Sequence, residues 1–183
     1  MKKNKLLIVV DMQNDFVTTS KLANPAAEKI IPNIVEKLKA KDYTYLIFTR
    51  DTHHENYPET QEGKNLPFIH CIEGTKGWEI VPELQEFAKN AFIVDKPTFG
   101  YKDWKAKLNE LFNDENNQPG DFPEEIELCG TCTAICVASN ATILKSLYPE
   151  MPISVDSSCC ACLNEDTHNA ALTVMKYQQI FVK

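Results

Sequence analysis

A chain of 183 residues, 43% hydrophobic and 25% charged, has the size and balance of a single soluble domain spanning 1–183. Its formal net charge of −7, with no run of five like charges, argues against nucleic acid or an anionic membrane as partner, because both select basic patches. No stretch reaches the roughly 18 apolar residues of a membrane span, and Leu6–Val10 falls short of the signal-peptide core of about 7–15 residues, so the expected location is the cytoplasm.

Leu6–Val10 is a continuous apolar run of the kind that forms a strand buried on both faces. Ala27, Ile30, Ile31, Ile34, Val35 and Leu38 recur at helical spacing and predict a helix over 25–41. Further strands are predicted at Tyr43–Thr49, Phe92–Val94, Ile126–Cys129, Ile153–Val155 and Ile180–Val182. Helices are predicted at Asp103–Phe112, Ala134–Tyr148 and Asp166–Tyr177; the last begins with acid and carries Lys176 near its end, as the helix dipole favours. The polar segment 113–123, with Pro119, Gly120 and Pro123, reads as a loop. Strands alternating with helices imply an α/β three-layer sandwich: a mostly parallel, roughly six-stranded sheet with helices on both faces.

Ligands of such sheets bind beyond the carboxyl ends of the strands. There the sequence places Asp11, then Arg50-Asp51-Thr52-His53, then Asp95-Lys96, then Gly130 to Cys136. Cys136 near a helix start gains a partial positive charge that favours a low-pKa thiolate, Lys96 supplies a cation, and Asp11 is a base for the thiol proton. The alternative for these three is a packed cysteine and two solvated charges. Asp51 and His53, joined by His70, form a ligand set suited to zinc, iron or manganese, with water completing the shell. His54 is expected to face solvent, and His168 to serve packing or surface. Seven cysteines cannot all pair within one chain, so free thiols are expected.

Four motifs now stand in order along nearly the whole chain: Val10-Asp11-Met12-Gln13-Asn14-Asp15-Phe16, Arg50-Asp51-Thr52-His53, Asp95-Lys96, and Gly130-Thr131-Cys132-Thr133-Ala134-Ile135-Cys136. In this the chain resembles the isochorismatase-like cysteine hydrolases, which include the nicotinamidases. The resemblance implies a catalytic triad of Asp11, Lys96 and Cys136, a cis peptide between Thr131 and Cys132, and an oxyanion hole from the N–H groups of Cys132 and Cys136. It implies that Asp51, His53 and His70 hold a divalent metal, zinc by preference, that binds a substrate ring nitrogen. It also implies a homo-oligomer acting on a small amide, with nicotinamide converted to nicotinate and ammonia through a thioester on Cys136.

Two positions depart from the family pattern. Ala134 stands where an aspartate is common, and Leu66-Pro67 stands where Trp-Pro is common, which removes one stacking surface for a pyridine ring. Phe16 and Phe99 are the candidate walls that remain. Two other functions compete: a sibling amidohydrolase of carbamoyl or ureide compounds, and a non-catalytic binding domain stabilised by zinc on Cys129, Cys132 and Cys136 with Cys159, Cys160 and Cys162.

Overall fold

The computed structural model describes residues 4–112 and 122–183. Six strands, β1 (Lys5–Val10), β2 (Tyr45–Asp51), β3 (Phe92–Lys96), β4 (Glu125–Thr131), β5 (Ile153–Ala161) and β6 (Phe181–Val182), form one sheet in the order β3-β2-β1-β4-β5-β6. Every neighbouring pair is parallel, so the expected mostly parallel sheet is wholly so. Leu6 to Val10 are fully buried, as a strand covered on both faces requires.

The helices are α1 (Pro25–Lys39), α2 (Gln61–Asn65), α3 (Pro82–Ala88), α4 (Trp104–Phe112), α5 (Ala138–Leu147) and α6 (Glu165–Tyr177). α1 packs with α3, while α5 packs with both α4 and α6. With right-handed crossovers, this puts the first pair on one face of the sheet and the other three on the opposite face. The Asn24 side chain caps α1 by accepting from the Ala26 N–H at 3.0 Å, and Pro25 opens the helix where its missing N–H costs nothing. Ala27, Ile30, Ile31, Ile34 and Leu38 are its buried stripe.

Sequence periodicity missed α2 and α3, which are too short to show a repeat; α2 is held instead by the Thr60 hydroxyl accepting from the Gly63 N–H at 2.9 Å. The 113–123 loop falls, over 113–121, outside the described residues. β2 runs on to Asp51, beyond the predicted end at Thr49, and β5 runs on to Ala161, beyond the predicted end at Val155. The second extension follows from an irregular register. Leu128 pairs with Val155, but Gly130 pairs with Cys160, so β5 carries an extra loop of chain through Asp156, Ser157 and Ser158. Polar residues there hide the strand from an apolar-run search.

Strand order reverses between β1 and β4, where the carboxyl ends open the crevice that α/β sheets use for ligands. Gly130 closes that junction. Its φ is +117°, and a Cβ there would run into the Val10 carbonyl of β1, so only glycine fits.

Near the Glu125–Ile126 end of β4 lies a charged cluster. Glu127 Oε1 accepts from Lys37 Nζ at 2.6 Å and from the Tyr43 hydroxyl at 2.7 Å, and Lys183 Nζ contacts Oε2 at 2.5 Å. Burial opposes ionisation, but these donors outweigh it and hold the Glu127 carboxyl below its ordinary value. A carboxyl lowered on folding adds stability above its unfolded value, and that stability is lost as pH falls through the folded one. Thermal melts of Glu127→Gln against the parent should therefore differ most near neutral pH, and the gap should narrow progressively below about pH 4.5. A gap independent of pH would show that the carboxylate's charge contributes nothing.

Candidate active site and metal centre

Asp11 follows β1 directly, with φ +49°, and is fully buried. Its Oδ1 accepts from the Thr49 hydroxyl at 2.6 Å. Its Oδ2 lies 2.6 Å from Lys96 Nζ, an ion pair without the alignment of a hydrogen bond. Lys96 is fully buried at the end of β3, where strand pairing sets it level with Asp51. Its ammonium also donates to Asp51 Oδ1 at 3.3 Å and to the Thr98 carbonyl at 3.1 Å.

Cys136 lies in a π-helical turn, Thr133–Val137, that carries the chain from β4 into α5. Its thiol lies within the fields of the Asp11 carboxylate and the Lys96 ammonium. The expected low-pKa thiol is corrected here. Burial pushes Cys136 well above the ordinary thiol value, the charges of Asp11 and Asp51 add to this, and Lys96 opposes it. The helix start does not lower it either, because α5 begins two residues further on. The group that meets a substrate is a neutral thiol close to a buried carboxylate.

The peptide between Thr131 and Cys132 is cis. Just past the turn, Asn140 is fully buried and makes four contacts. It accepts from the Tyr101 N–H at 2.9 Å and from Trp104 Nε1 at 2.8 Å, and it donates to the carbonyls of Cys136 at 2.8 Å and Phe99 at 3.1 Å. One side chain thus ties the cysteine turn to the Phe99 wall. Sequence reasoning had no signal for it, since an asparagine inside a helix shows no pattern.

Asp51, His53 and His70 also converge. Asp51 Oδ2 lies 3.1 Å from His53 Nε2 and 3.5 Å from His70 Nε2. Glu62, from α2, joins them, and the four ligand atoms lie within 4.8 Å of one another. His70 Nδ1 donates to the Phe68 carbonyl at 2.7 Å, which turns the Nε2 lone pair toward the cluster. Glu62 Oε1 is buried and receives no hydrogen bond, an acceptor left waiting for a cation. Burial and the Asp51 charge raise the Glu62 carboxyl, whereas Lys96 and the two histidines overcome burial to hold Asp51 well below the ordinary range. Two carboxylates and two imidazoles suit a divalent metal ion. Glu62 was missed because it comes from a helix too short to be predicted.

Gln13 supports both halves. Its amide donates to the Asp51 and Trp78 carbonyls, each at 2.9 Å, and accepts from the Asp51 N–H at 2.7 Å. Asp15 accepts from the Cys71 N–H at 2.8 Å, which fixes the residue after His70.

A cavity of about 110 Å³ opens onto Cys136, Cys132, Asp51 and His70, with Phe16, Phe99, Leu66 and Leu163 among its walls. That is below the roughly 300–1,000 Å³ of sites for drug-sized ligands, so the fit is to a small molecule. Both phenylalanines proposed as walls border it. A wider cleft beside Lys37, Tyr43 and Asp156 holds charges already paired with one another. His54 is exposed beside Glu73, as expected, while His168 Nδ1 lies 2.9 Å from the buried Thr133 hydroxyl.

The thiolate-zinc reading is corrected. Among the described residues, Asp51, His53, Glu62 and His70 are the only group of three or more potential ligands close enough for one ion, and all seven cysteines are free. Also among the described residues, no helix is long and apolar enough to cross a membrane.

A parallel three-layer α/β domain with a buried Cys-Asp-Lys set beside a carboxylate-imidazole cluster defines a class of cysteine-bearing hydrolase folds. The chain belongs to the isochorismatase family, whose domain model matches residues 5–183. It is 27% identical to the nicotinamidase of Saccharomyces cerevisiae over 187 residues, covering 83% of this chain and 86% of that one. It is 28% identical to the nicotinamidase/pyrazinamidase of Mycobacterium tuberculosis over 185 residues, covering 94% of each. The crystal structure of the pyrazinamidase of Pyrococcus horikoshii in complex with zinc superposes with a TM-score of 0.75 at 27% identity, over 98% of each chain. That of the nicotinamidase/pyrazinamidase of Bacillus subtilis gives 0.78 at 26% identity, also over 98% of each.

Asn140→Ala should strand two donors and two carbonyls in the interior and cost at least about 2 kcal/mol, read by denaturant unfolding. Asn140→Asp keeps the Oδ1 acceptor but turns a carboxylate oxygen toward two carbonyls, and should lose at least as much stability at neutral pH. An alanine variant as stable as the parent would show that these bonds contribute nothing.

Proposed function

We propose that this protein hydrolyses nicotinamide to nicotinate and ammonia through a thioester on Cys136. The observation that carries the reading is the meeting, on one small apolar cavity, of a buried thiol under the influence of the Asp11 carboxylate and a divalent-metal ligand set. The nicotinamidase relatives supply the substrate. Phe16 and Phe99 are the ring walls, and Leu66 adds an apolar contact where an aromatic side chain is absent.

As the carboxamide carbon comes within reach, Asp11 takes the Cys136 proton and Cys136 Sγ attacks. The Lys96 ammonium steadies the negative charge whether it sits on the carboxylate or on the thiolate during the transfer. The N–H groups of Cys132 and Cys136 hold the oxyanion. Ammonia departs with the proton from Asp11, which then draws a proton from water as that water opens the thioester.

Asp51, His53, His70 and Glu62 are the ligands of a divalent ion, zinc in our reading. When bound, that ion supplies a Lewis acid that anchors the ring nitrogen. Seven free thiols fit a reducing, cytoplasmic setting. A homo-oligomer fits the exposed Val174, Tyr177 and Phe181 on α6 and β6.

Ammonia release from nicotinamide by purified protein is the test. Cys136→Ala should retain the parent's circular dichroism and lose more than about a thousandfold in kcat. Residual turnover within tenfold of the parent would exclude covalent catalysis by this residue.

Stripping metal with a chelator should abolish turnover, and zinc should restore it. Glu62→Gln should weaken zinc binding by about 10–100-fold in a competition titration, as loss of a supporting ligand does. Turnover indifferent to chelation would redirect the search to carbamoyl and ureide substrates, which offer no ring nitrogen.

A further inference from the structure

Cys132 and Cys162 are a pair that the amidase chemistry leaves unused. The irregular register of β5 brings them together: Thr131 pairs with Ala161, so the next residue of each strand lies beside the other. Their sulfurs are 2.7 Å apart. A disulfide needs about 2.05 Å, so closure asks for a movement of roughly 0.7 Å.

The surroundings divide the labour between the two. Cys162 is held below the ordinary thiol value; burial opposes this, but the Cys132 thiol, the N–H groups of Ala134 and Leu163, and the Thr167 hydroxyl 3.7 Å away outweigh it. It is the one cysteine of the seven so lowered, whereas burial pushes Cys132 up to about 12 and raises Cys136 as well. Access exists from both sides. Cys132 borders the substrate cavity, and Cys162 borders a separate open cleft with Ala26, Lys29, Asn164 and His168.

We propose that Cys132 and Cys162 form a modification site for hydroperoxides, a thiol pair that closes to a disulfide and slows the amidase when it does. The Cys162 thiolate attacks a peroxide oxygen, the O–O bond breaks, and hydroxide leaves, giving a sulfenic acid. Cys132 sulfur then attacks the Cys162 sulfur. The S–S bond forms, the S–O bond breaks, and the departing hydroxide takes the Cys132 thiol proton as water. Two thiols lose two electrons and the peroxide gains them. The effect on turnover rests on the oxyanion role of the Cys132 N–H given above: a shift of that group by a fraction of an ångström misaligns the donor.

Reduced protein treated with limiting hydrogen peroxide, quenched with N-ethylmaleimide and mapped by mass spectrometry tests this. A Cys132–Cys162 crosslinked peptide should appear while Cys136 remains unoxidised. Nicotinamide turnover should fall by tenfold or more and return with dithiothreitol. Cys162→Ser should keep basal turnover, form no crosslink and lose the dithiothreitol-recoverable inhibition. Oxidation of Cys136 first, or Cys132 and Cys162 left as free thiols, would overturn the site. A crosslink formed with turnover intact would overturn its control of the enzyme. Because mapping needs no substrate, an absence of nicotinamide turnover would count against the amidase reading and leave the crosslink result to decide the pair.

Discussion

The Lys96 ammonium has no contact with water. Taking an unpaired ammonium from water into such an interior costs several kcal/mol even after relaxation, so it persists only where partners surround it. Asp11, Asp51 and the Thr98 carbonyl do so. The consequence reaches past the ion pair itself. Asp11 faces the thiol and Asp51 faces the histidines, so one buried cation joins the acid-base centre to the metal-ligand cluster. Neither half can be moved without exposing a charge in the other.

The local charge balance also explains why the cluster looks incomplete as protein alone. Asp11, Asp51 and Glu62 crowd three carboxyls around one ammonium. Burial, joined by the Asp51 charge, raises the Glu62 carboxyl, and one Glu62 oxygen has no hydrogen bond. A divalent ion would neutralise the excess and satisfy that oxygen. The chemistry of the ligand set therefore follows from electrostatics within the fold as well as from the identity of the ligands.

Register does the remaining positioning. The pairing of Val10 with Gly130 puts Asp11 beside the start of the cysteine turn, and the pairing of Asp51 with Lys96 sets the ion pair level across two strands. The irregularity in β5 then advances three polar residues out of the ladder, which is what allows Cys162 to reach Cys132. A sheet that kept even register would set Cys159 opposite Cys132 instead, and Cys162 would lie three residues further on.

The alternation of apolar runs and helical stripes was sufficient for the parallel sheet, because the central strands are buried along most of their length and the edge strands still keep a short apolar run. Asp11, Asp51, His53, Lys96 and Cys136 were legible as candidates for a related reason: they end or follow strands, where such sheets gather ligands, whereas His70 lies in the chain between α2 and α3. Glu62 and Asn140 were not legible. Their roles come from the packing of a five-residue helix and of a helix interior, where local sequence carries no periodic signal. The protonation state of Cys136 was misjudged, because helix position is a local property while desolvation is set by everything packed around the thiol. The sequence by itself determined which elements form and which reactive groups end them. Only the tertiary structure decided which groups meet, how deeply they are buried and which of them hold a proton, because those are sums over contacts distant in the chain.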